Sequence, residues 1–497
     1  MIKRSIHLSK KLFSLLPDNQ KKKYNRVLDL LSFSELEYYE TPTLETGLKR
    51  ARETTDPKER LSAARKLVRQ YPNHPLSHLE LAQCLHKASD PHEFEQMDRY
   101  GEVRREWLKS TGYGELGLEF ILSGIFLGSF GNPFSIEMVL KANQLGLRTA
   151  KKLVLLLSQN HQLRNPALFS YFEPYICVIR DRETISNLKR LEELLALPLG
   201  WCIPMNEGCP FINLAANRIE EERTKQGSDS PFFTLSSRHE EMGVQALGKL
   251  GLPKDSWYVT LHVREPGYRG ETHANTTENW RNANPIDYLK AIEGVTNAGG
   301  WVFRMGDPSM TPLPSMPQVI DYAHHVIRCD WMDVFLGATC QFCIGTGSGY
   351  FHIPQFFDRP LLFTNYPASS QYFTLRQHDI YLPRLLRRRS NGEYLTFEQY
   401  MSPPISNFWS MKNFRDADLD WVENTPEDLE AATKEMIERT TERMPQKTPD
   451  NDLQLRFKAT AKVCGQKYHG RPITPFAPIS SDFLAQHAHL LGRGETL

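Results

Sequence analysis

Between Trp257 and Asn365 short apolar runs of strand length alternate with polar turns that carry Arg or Gly. The first run, Trp257 to Arg264, is β-branched and aromatic. Residues two apart on a strand share a face, so His262 and Arg264 are expected to project together. Gly299 to Asp307 delivers a second arginine, Arg304, at a strand end and breaks at Gly306. Val319 to Asp321 follows, then a helix from Asp330 to Ala338. Gln341 to Ile344 runs into Gly345, Thr346, Gly347, Ser348 and Gly349, with an apolar helical segment behind, and Pro360 to Asn365 is one more buried strand. Strands alternating with helical patterns predict a parallel sheet with helices on both faces. Such sheets bind ligands beyond the carboxyl ends of their strands, where Arg264, Arg304 and the 345–349 loop would lie. Guanidiniums beside backbone N–H groups at a helix start suit an anion, above all a diphosphate.

The same patterning divides the rest of the chain. Residues 1–40 read as amphipathic helices, with apolar faces from Leu12, Phe13, Leu15 and Leu16 and from Val27, Leu28, Leu30 and Leu31, flanked by lysines. They read either as a helical cap or as a peripheral contact with an anionic membrane surface. Residues 41–115 form paired helices: Glu59–Gln70, Leu76–Lys87 and Glu93–Ser110, the first two joined by a Tyr71 to Pro75 turn that resembles a tetratricopeptide repeat (TPR). One repeat falls short of the roughly three that a free-standing array needs. Residues 116–236 read as a first Rossmann-like domain, with strands near 120–124, 151–157 and 175–180 and a Gly-rich turn at 128–132, which either satisfies positive φ or forms a substrate loop. The second Rossmann-like domain covers 237–443, with a helix at its entrance over 236–250 and one at its end from Thr425, Pro426, Glu427 and Asp428 to Arg443. Arg384 and Arg387 to Arg389 read either as a solvated loop or as a basic run facing phosphate or a lipid-linked acceptor, and 444–497 as a loosely packed tail in which Phe483, Leu484, Leu490 and Leu491 are the residues able to dock.

Composition narrows the function. A chain of 497 residues holds two to four domains, and 60 basic against 59 acidic residues argues against a nucleic-acid or general membrane binder. No apolar run approaches the roughly 20 residues that span a bilayer, and the N-terminal apolar run is too short for a secretion signal. The expected location is the cytoplasm, with the inner membrane face as the peripheral alternative. Eight scattered cysteines fit a reduced compartment, and Cys340 and Cys343 read as core residues rather than a metal or redox pair. Asp418 and Asp420 form a nominal Asp-x-Asp in an acidic, exposed stretch, and no Gly-x-Gly-x-x-Gly strand end speaks for NAD.

Roles follow from chemistry. Arg264 is the first choice for stabilising a leaving diphosphate, its structural alternative being an ion pair with a buried carboxylate such as Asp321. Arg304 supplies a second donor or holds the first in place. Thr346, Ser348 and the N–H groups of 347–349 would hold phosphate oxygens. Asp330 and Asp333 share one helical face, for a ribose hydroxyl or a helix cap, and Asp321 reads a base or ribose or serves structure. Glu265, His262 and His273 are the candidate general bases. Arg281 and Asn282 lie in a polar loop, 278–284, that either closes over a donor or is a surface turn.

The stretch Leu261 to Arg264 resembles the His-x-Arg strand end of protein O-fucosyltransferases. Together with Tyr268, Arg281 and Asn282, Arg304 to Gly306, Ile320 to Tyr322, Asp330 with Asp333, and Gly345 to Gly349, it resembles a bacterial glycosyltransferase family found with surface-polysaccharide genes. The likeness covers roughly 236–366 well and 116–235 loosely. It implies a GT-B fold, two Rossmann-like domains facing a cleft, beside which the TPR-like helices are an extension. It further implies a nucleotide-sugar donor held by the second domain, transfer without metal or cofactor, and a saccharide, lipid-linked or protein hydroxyl as acceptor. Glu265 follows the motif directly, without a further Arg, so donor identity does not carry over. The competing readings are a glycan- or protein-binding scaffold with a degenerate transferase domain, and another phosphate-using Rossmann enzyme such as an epimerase. Oligomeric state is not legible.

Overall fold

The computed structural model describes residues 42–88, 90, 92–228, 230–267, 279–367, 369–441 and 452–492. Expectations for 1–40, Tyr268, His273 and Glu278 lie outside them. Contacts divide the chain into two compact units. One comprises the residues up to Gly128, Ser135–Arg164 and Phe169–Ala215, and the other Ser129–Phe134, Asn165–Leu168 and the residues from Ala216 on.

The first unit opens with helices α1 (Pro42–Glu53), α2 (Pro57–Gln70), α3 (Pro75–Lys87) and α4 (Glu93–Ser110). Asp56 caps α2 by accepting the Glu59 N–H at 2.8 Å, with Pro57 in the first turn. Leu44, Leu48 and Ala51 of α1, a helix the apolar pattern did not distinguish, pack with Leu67 of α2. Strands β1 (Leu118–Ile121), β2 (Lys152–Leu156) and β3 (Ile176–Ile179) form a parallel sheet in that order, with helix α5 (Phe134–Gln144) between β1 and β2 and helix α6 (Arg182–Leu195) following β3. Trp107 and Leu108 of α4 share one core with Phe120, Val154 and Leu188. The helical segment is therefore continuous with the sheet's packing rather than a separate module.

Helix α7 (Ile212–Gln226) carries the chain into the second unit, followed by the expected helix, α8 (Ser237–Lys249), which Ser236 caps. Then come β4 (Tyr258–His262), α9 (Leu289–Asn297), β5 (Trp301–Arg304), β6 (Val319–Ile320), α10 (Asp330–Thr339), β7 (Cys343–Gly345), α11 (His352–Phe356), β8 (Leu361–Tyr366) and β9 (Ile380–Pro383). All six strands are parallel, in the order β6-β5-β4-β7-β8-β9. Val259, Leu261, Phe303, Leu362 and Phe363 are fully buried, which is why these strands read as continuous apolar runs rather than alternating ones. This is the α/β class that the sequence predicts. The chain lays β5 and β6 on one side of β4 and then returns to lay β7, β8 and β9 on the other. That reversal is the Rossmann strand order, and it puts a switch point between β4 and β7.

Three expectations change beyond β9. Arg387 and Arg388 are not in a loop: they lie on β10 (Leu385–Arg388), which pairs antiparallel with β11 (Leu419–Val422), and Arg387 stands 3.7 Å from Asp420. The nominal Asp-x-Asp is engaged there too, since Asp418 accepts the Ser390 hydroxyl proton. Helix α12 (Pro426–Thr441) begins, as expected, with Thr425 and Asp428 bonding each other's backbone N–H groups. The last stretch is docked, not loose. Phe457, Ala461 and Cys464 form a buried stripe on α13 (Asp452–His469), and Phe483 and Leu484 are buried. Tyr381 donates its N–H to Pro478 O and accepts from the Ser480 N–H, each at 2.9 Å, so residues 478–480 extend the sheet beyond β9.

All eight cysteines are free. Cys340, just after α10, and Cys343, on β7, are fully buried, and burial pushes the Cys340 thiol up to about 11 and Cys343 higher still, as core residues behave. Among the described residues no group of three or more His, Cys, Asp or Glu is placed to hold a metal ion, and no helix is long and apolar enough to cross a membrane.

Candidate functional site

Two chain segments leave adjacent strands at the switch point, and hydrogen bonds tie them together. The Thr346 N–H donates to His262 O at 3.2 Å, and the Arg264 N–H donates to Thr346 Oγ1 at 2.8 Å. Strand β4 stops at His262, so the two-residue alternation that was to align His262 with Arg264 does not reach the arginine. The Arg264 guanidinium is half-buried and donates from Nη1 to Asn282 Oδ1. Asn282 Nδ2 in turn donates to Asn279 Oδ1 at 2.9 Å, and the Ala283 N–H to Arg264 O at 3.0 Å. Arg264, Thr346 and Asn282, distant in sequence, thus meet at one place.

The loop glycines are there for space. None of Gly345, Gly347 and Gly349 has a positive φ. A Cβ on Gly347 would stand 2.2 Å from the Tyr366 ring, and one on Gly349 would stand 2.8 Å from the backbone nitrogen of Gly131. Gly131 likewise has no positive φ, which removes the turn-former reading of 128–132 at this position, and a Cβ there would meet Gly349 and His352. The two glycine loops therefore touch backbone to backbone. Gly349→Ala is expected to cost about 1–3 kcal/mol, because a backbone atom has to yield. A urea titration checks it, and an unchanged midpoint would mean the 130–131 backbone gives way freely.

The polar groups of this loop are arranged differently from the expectation. The Thr346 hydroxyl oxygen accepts the Arg264 N–H and keeps its own proton to donate, while the hydroxyl of Ser348, a buried residue, has no hydrogen-bond partner among the described residues. Helix α11 has only five residues and starts three residues beyond Gly349, with Phe351 at its N-cap. The N–H groups available are those of the loop itself, not of a helix end.

Arg304 takes the structural role considered for Arg264. Fully buried, it donates from Nη2 to Glu265 Oε2 at 2.6 Å and from Nη1 to Asp321 Oδ1 at 3.5 Å. Glu265 Oε1 accepts the Thr311 N–H at 3.2 Å, and Asp321 Oδ2 accepts the Leu313 N–H at 2.9 Å. Gly306, at φ 149°, makes the turn after β5, and Met310 sulfur occupies the space where a Cβ would be. Arg304, Glu265, Asp321 and Gly306 thus shape the floor under the β4 exit. Of the two roles considered for Arg304, these contacts match the holding one, and Glu265 is engaged on both carboxylate oxygens.

The remaining candidates sit as follows. His262 is buried with its ring stacked on Tyr350, centroids 5.4 Å apart, and burial, reinforced by Arg304, pushes its pKa down to about 3. It is neutral at physiological pH and a feeble proton acceptor. Asp330 is the first residue of α10, whose N-cap is Cys329; it is exposed, and its carbonyl accepts from Asn165 Nδ2 at 2.9 Å. Asp333 accepts the Tyr322 hydroxyl proton at 2.8 Å. Arg281 is half-buried, 5.7 Å over the Trp280 ring.

A buried polar network behind the loop went unread in the sequence. Thr364 Oγ1 donates to Gly345 O at 3.3 Å and bonds the Tyr288 hydroxyl at 2.7 Å, and Asn365 Nδ2 donates to that hydroxyl at 3.0 Å. Asn365 and Asn424 exchange backbone-to-side-chain bonds of 2.8 Å. Arg384, expected in a solvated loop, is fully buried: it donates to Trp280 O at 2.7 Å, to Asn282 O and to Glu423. The available signal was its position immediately after β9, at a strand's carboxyl end.

No family profile and no curated protein matches the chain by sequence. Among solved structures, the chain is similar to ADP-heptose LPS heptosyltransferase II of E. coli, at 11% identity over 64% of this chain and 98% of that one, with a TM-score of 0.38. It is also similar to a family 9 glycosyl transferase from Veillonella parvula, at 10% identity over 64% and 97%, TM-score 0.40. A third is the dodecameric iron-containing heptosyltransferase TibC in complex with ADP-D-β-D-heptose, at 11% identity over 65% and 77%, TM-score 0.31. These are distant likenesses, and the chemistry of the site rests on its own residues.

Proposed function

We propose that the second unit binds the diphosphate of a nucleotide-sugar and that the chain is a glycosyltransferase acting on a saccharide, lipid-linked or protein hydroxyl. The observation that carries this reading is the strand reversal between β4 and β7, with Arg264 leaving one strand and the 345–349 loop leaving the other, tied through Thr346. Arg264 faces the diphosphate. As the bond from sugar to β-phosphate oxygen breaks, charge builds on that oxygen, and a guanidinium held by Asn282 stabilises it more than the ground state. The Ser348 hydroxyl and the N–H groups of 347–349 take the remaining phosphate oxygens. Arg281, on the turn that carries Asn282, reaches the donor. In this proposal these groups, without a metal or cofactor, supply the positive charge. Glu265 and His262 are set aside as acceptor bases because of their surroundings.

A second reading, a module that binds a nucleotide or glycan without transfer, is favoured by one observation: Glu265 is held in an ion pair and His262 is pushed to about 3.

Thermal shift with UDP, GDP, ADP, dTDP, CMP and their sugars tests the proposal. At least one nucleoside diphosphate is expected to raise the melting temperature. Arg264→Ala should weaken that binding about 10- to 100-fold, the worth of one hydrogen-bonded charge. No response to any nucleotide would end the proposal, and binding without sugar release on any acceptor would favour the second reading.

A further inference from the structure

We propose that Arg384 is a positioning residue for the donor site: its buried guanidinium clamps the Trp280–Asn282 turn so that Asn282 holds Arg264 against the diphosphate. The inference rests on the donor reading above and adds to it the element that fixes the phosphate-facing arginine.

Arg384 follows β9, whereas Arg264 follows β4, with β8 and β7 between them. The link is direct all the same. Arg384 Nη1 donates to the carbonyl of Trp280 and Nη2 to the carbonyl of Asn282, two residues on, while Nε reaches Asn365 Oδ1 at 3.4 Å. A planar fork with five donors meets two such carbonyls at once, which a lysine's single point of charge does not. The ion-pair partner Glu423 is 46% exposed although the guanidinium is fully buried, so carbonyl dipoles provide much of the compensation for a desolvated charge. Burial lowers the pKa of Arg384, as it does for a charge taken out of water.

The clamped turn, a single 3-10 turn over Asn279–Arg281, is gripped from the other side as well. The buried Trp280 ring packs on Tyr366 with centroids 5.3 Å apart, and Tyr366 lies on Gly347. Through Asn282 Oδ1 the turn reaches the Arg264 guanidinium. A half-buried arginine restrained this way loses less freedom when it engages an anion, and that preorganisation appears in affinity.

A double-mutant cycle separates positioning from a merely structural role. The dissociation constant of the nucleoside diphosphate that stabilises the native chain is measured by calorimetry in the native protein, Asn282→Ala, Arg384→Gln and the double variant. Each single change is expected to weaken binding about tenfold. In the Asn282→Ala background Arg384→Gln should cost less than threefold, because its effect passes through Asn282; additive losses would overturn the proposal. If Arg384→Gln does not fold, Arg384→Lys replaces it in the same cycle. Hydrogen exchange at the N–H groups of Asn282 and Ala283 is the second readout. Unchanged protection in the Arg384 variant would refute the clamp even if no nucleotide bound, a result that would count against the donor reading instead.

Discussion

Replacing Arg304 by methionine is expected to lower the free energy of unfolding by about 3–5 kcal/mol, the usual cost of leaving a buried charge without its partner. The guanidinium has no exposed surface, and its removal strands Glu265, itself buried, and leaves Asp321 with only the Leu313 N–H among the bonds described. Neutralising the other side should restore much of the loss, so Glu265→Gln with Arg304→Met is expected to be more stable than Arg304→Met alone. Urea titration with linear extrapolation measures both. A single variant within about 1 kcal/mol of the native protein would show that the ion pair does not support this floor. Arg264→Ala, by contrast, should change stability by roughly 0.5 kcal/mol while losing nucleotide binding. Two arginines at the exits of neighbouring strands would then be separated by experiment, one as scaffold and one as ligand contact.

Mild acid is expected to unfold the protein well above the pH at which its carboxylates titrate. His74, His262 and His469 are each more than nine-tenths buried, and burial pushes them down to about 4, 3 and 3, with Arg304 adding to the shift at His262. In the unfolded chain each binds a proton near pH 6.5, so below that pH the unfolded state takes up protons that the native state refuses. Their contribution to stability is complete above about pH 6.5 and falls as the pH drops toward the native values. At pH 5 each histidine costs roughly 2 kcal/mol, and the three together roughly 6, comparable with the 5–15 kcal/mol that holds a typical domain together. Circular dichroism against pH should place the onset of unfolding near pH 5, and His469→Gln should move it lower. A native protein still folded at pH 4 would sink the argument.

How much of this was legible depends on distance along the chain. The strands from Tyr258 to Tyr366 and helix α10 were readable because each announces itself within ten residues, by an apolar run and a polar or glycine break. Arg264 and Arg304 looked alike for the same reason: both end an apolar run. What separates them is the β4–β5 register, which sets Arg304 opposite Leu261 and within reach of Glu265, 39 residues earlier. Arg384 was grouped with its basic neighbours because the carbonyls that bury it come from a turn about a hundred residues upstream. The docked end of the chain was legible in part, since Phe483, Leu484, Leu490 and Leu491 stood out as apolar and are buried. The spacing of Phe457, Ala461 and Cys464 marks a helix with one apolar face, but the Pro and Lys residues of 444–450 dominated the composition. The loop glycines stood out in sequence, yet close approach by Tyr366 and Gly131 is not a property of the loop's own letters.

Residues 478–480 lie along the outer margin of β9 and complete its ladder. A parallel sheet left open at that margin would present Tyr381's bare amide and carbonyl as a template for another chain's backbone. The segment occupies that margin like a selvedge, so a version of the protein shortened before residue 478 would leave both groups of Tyr381 open.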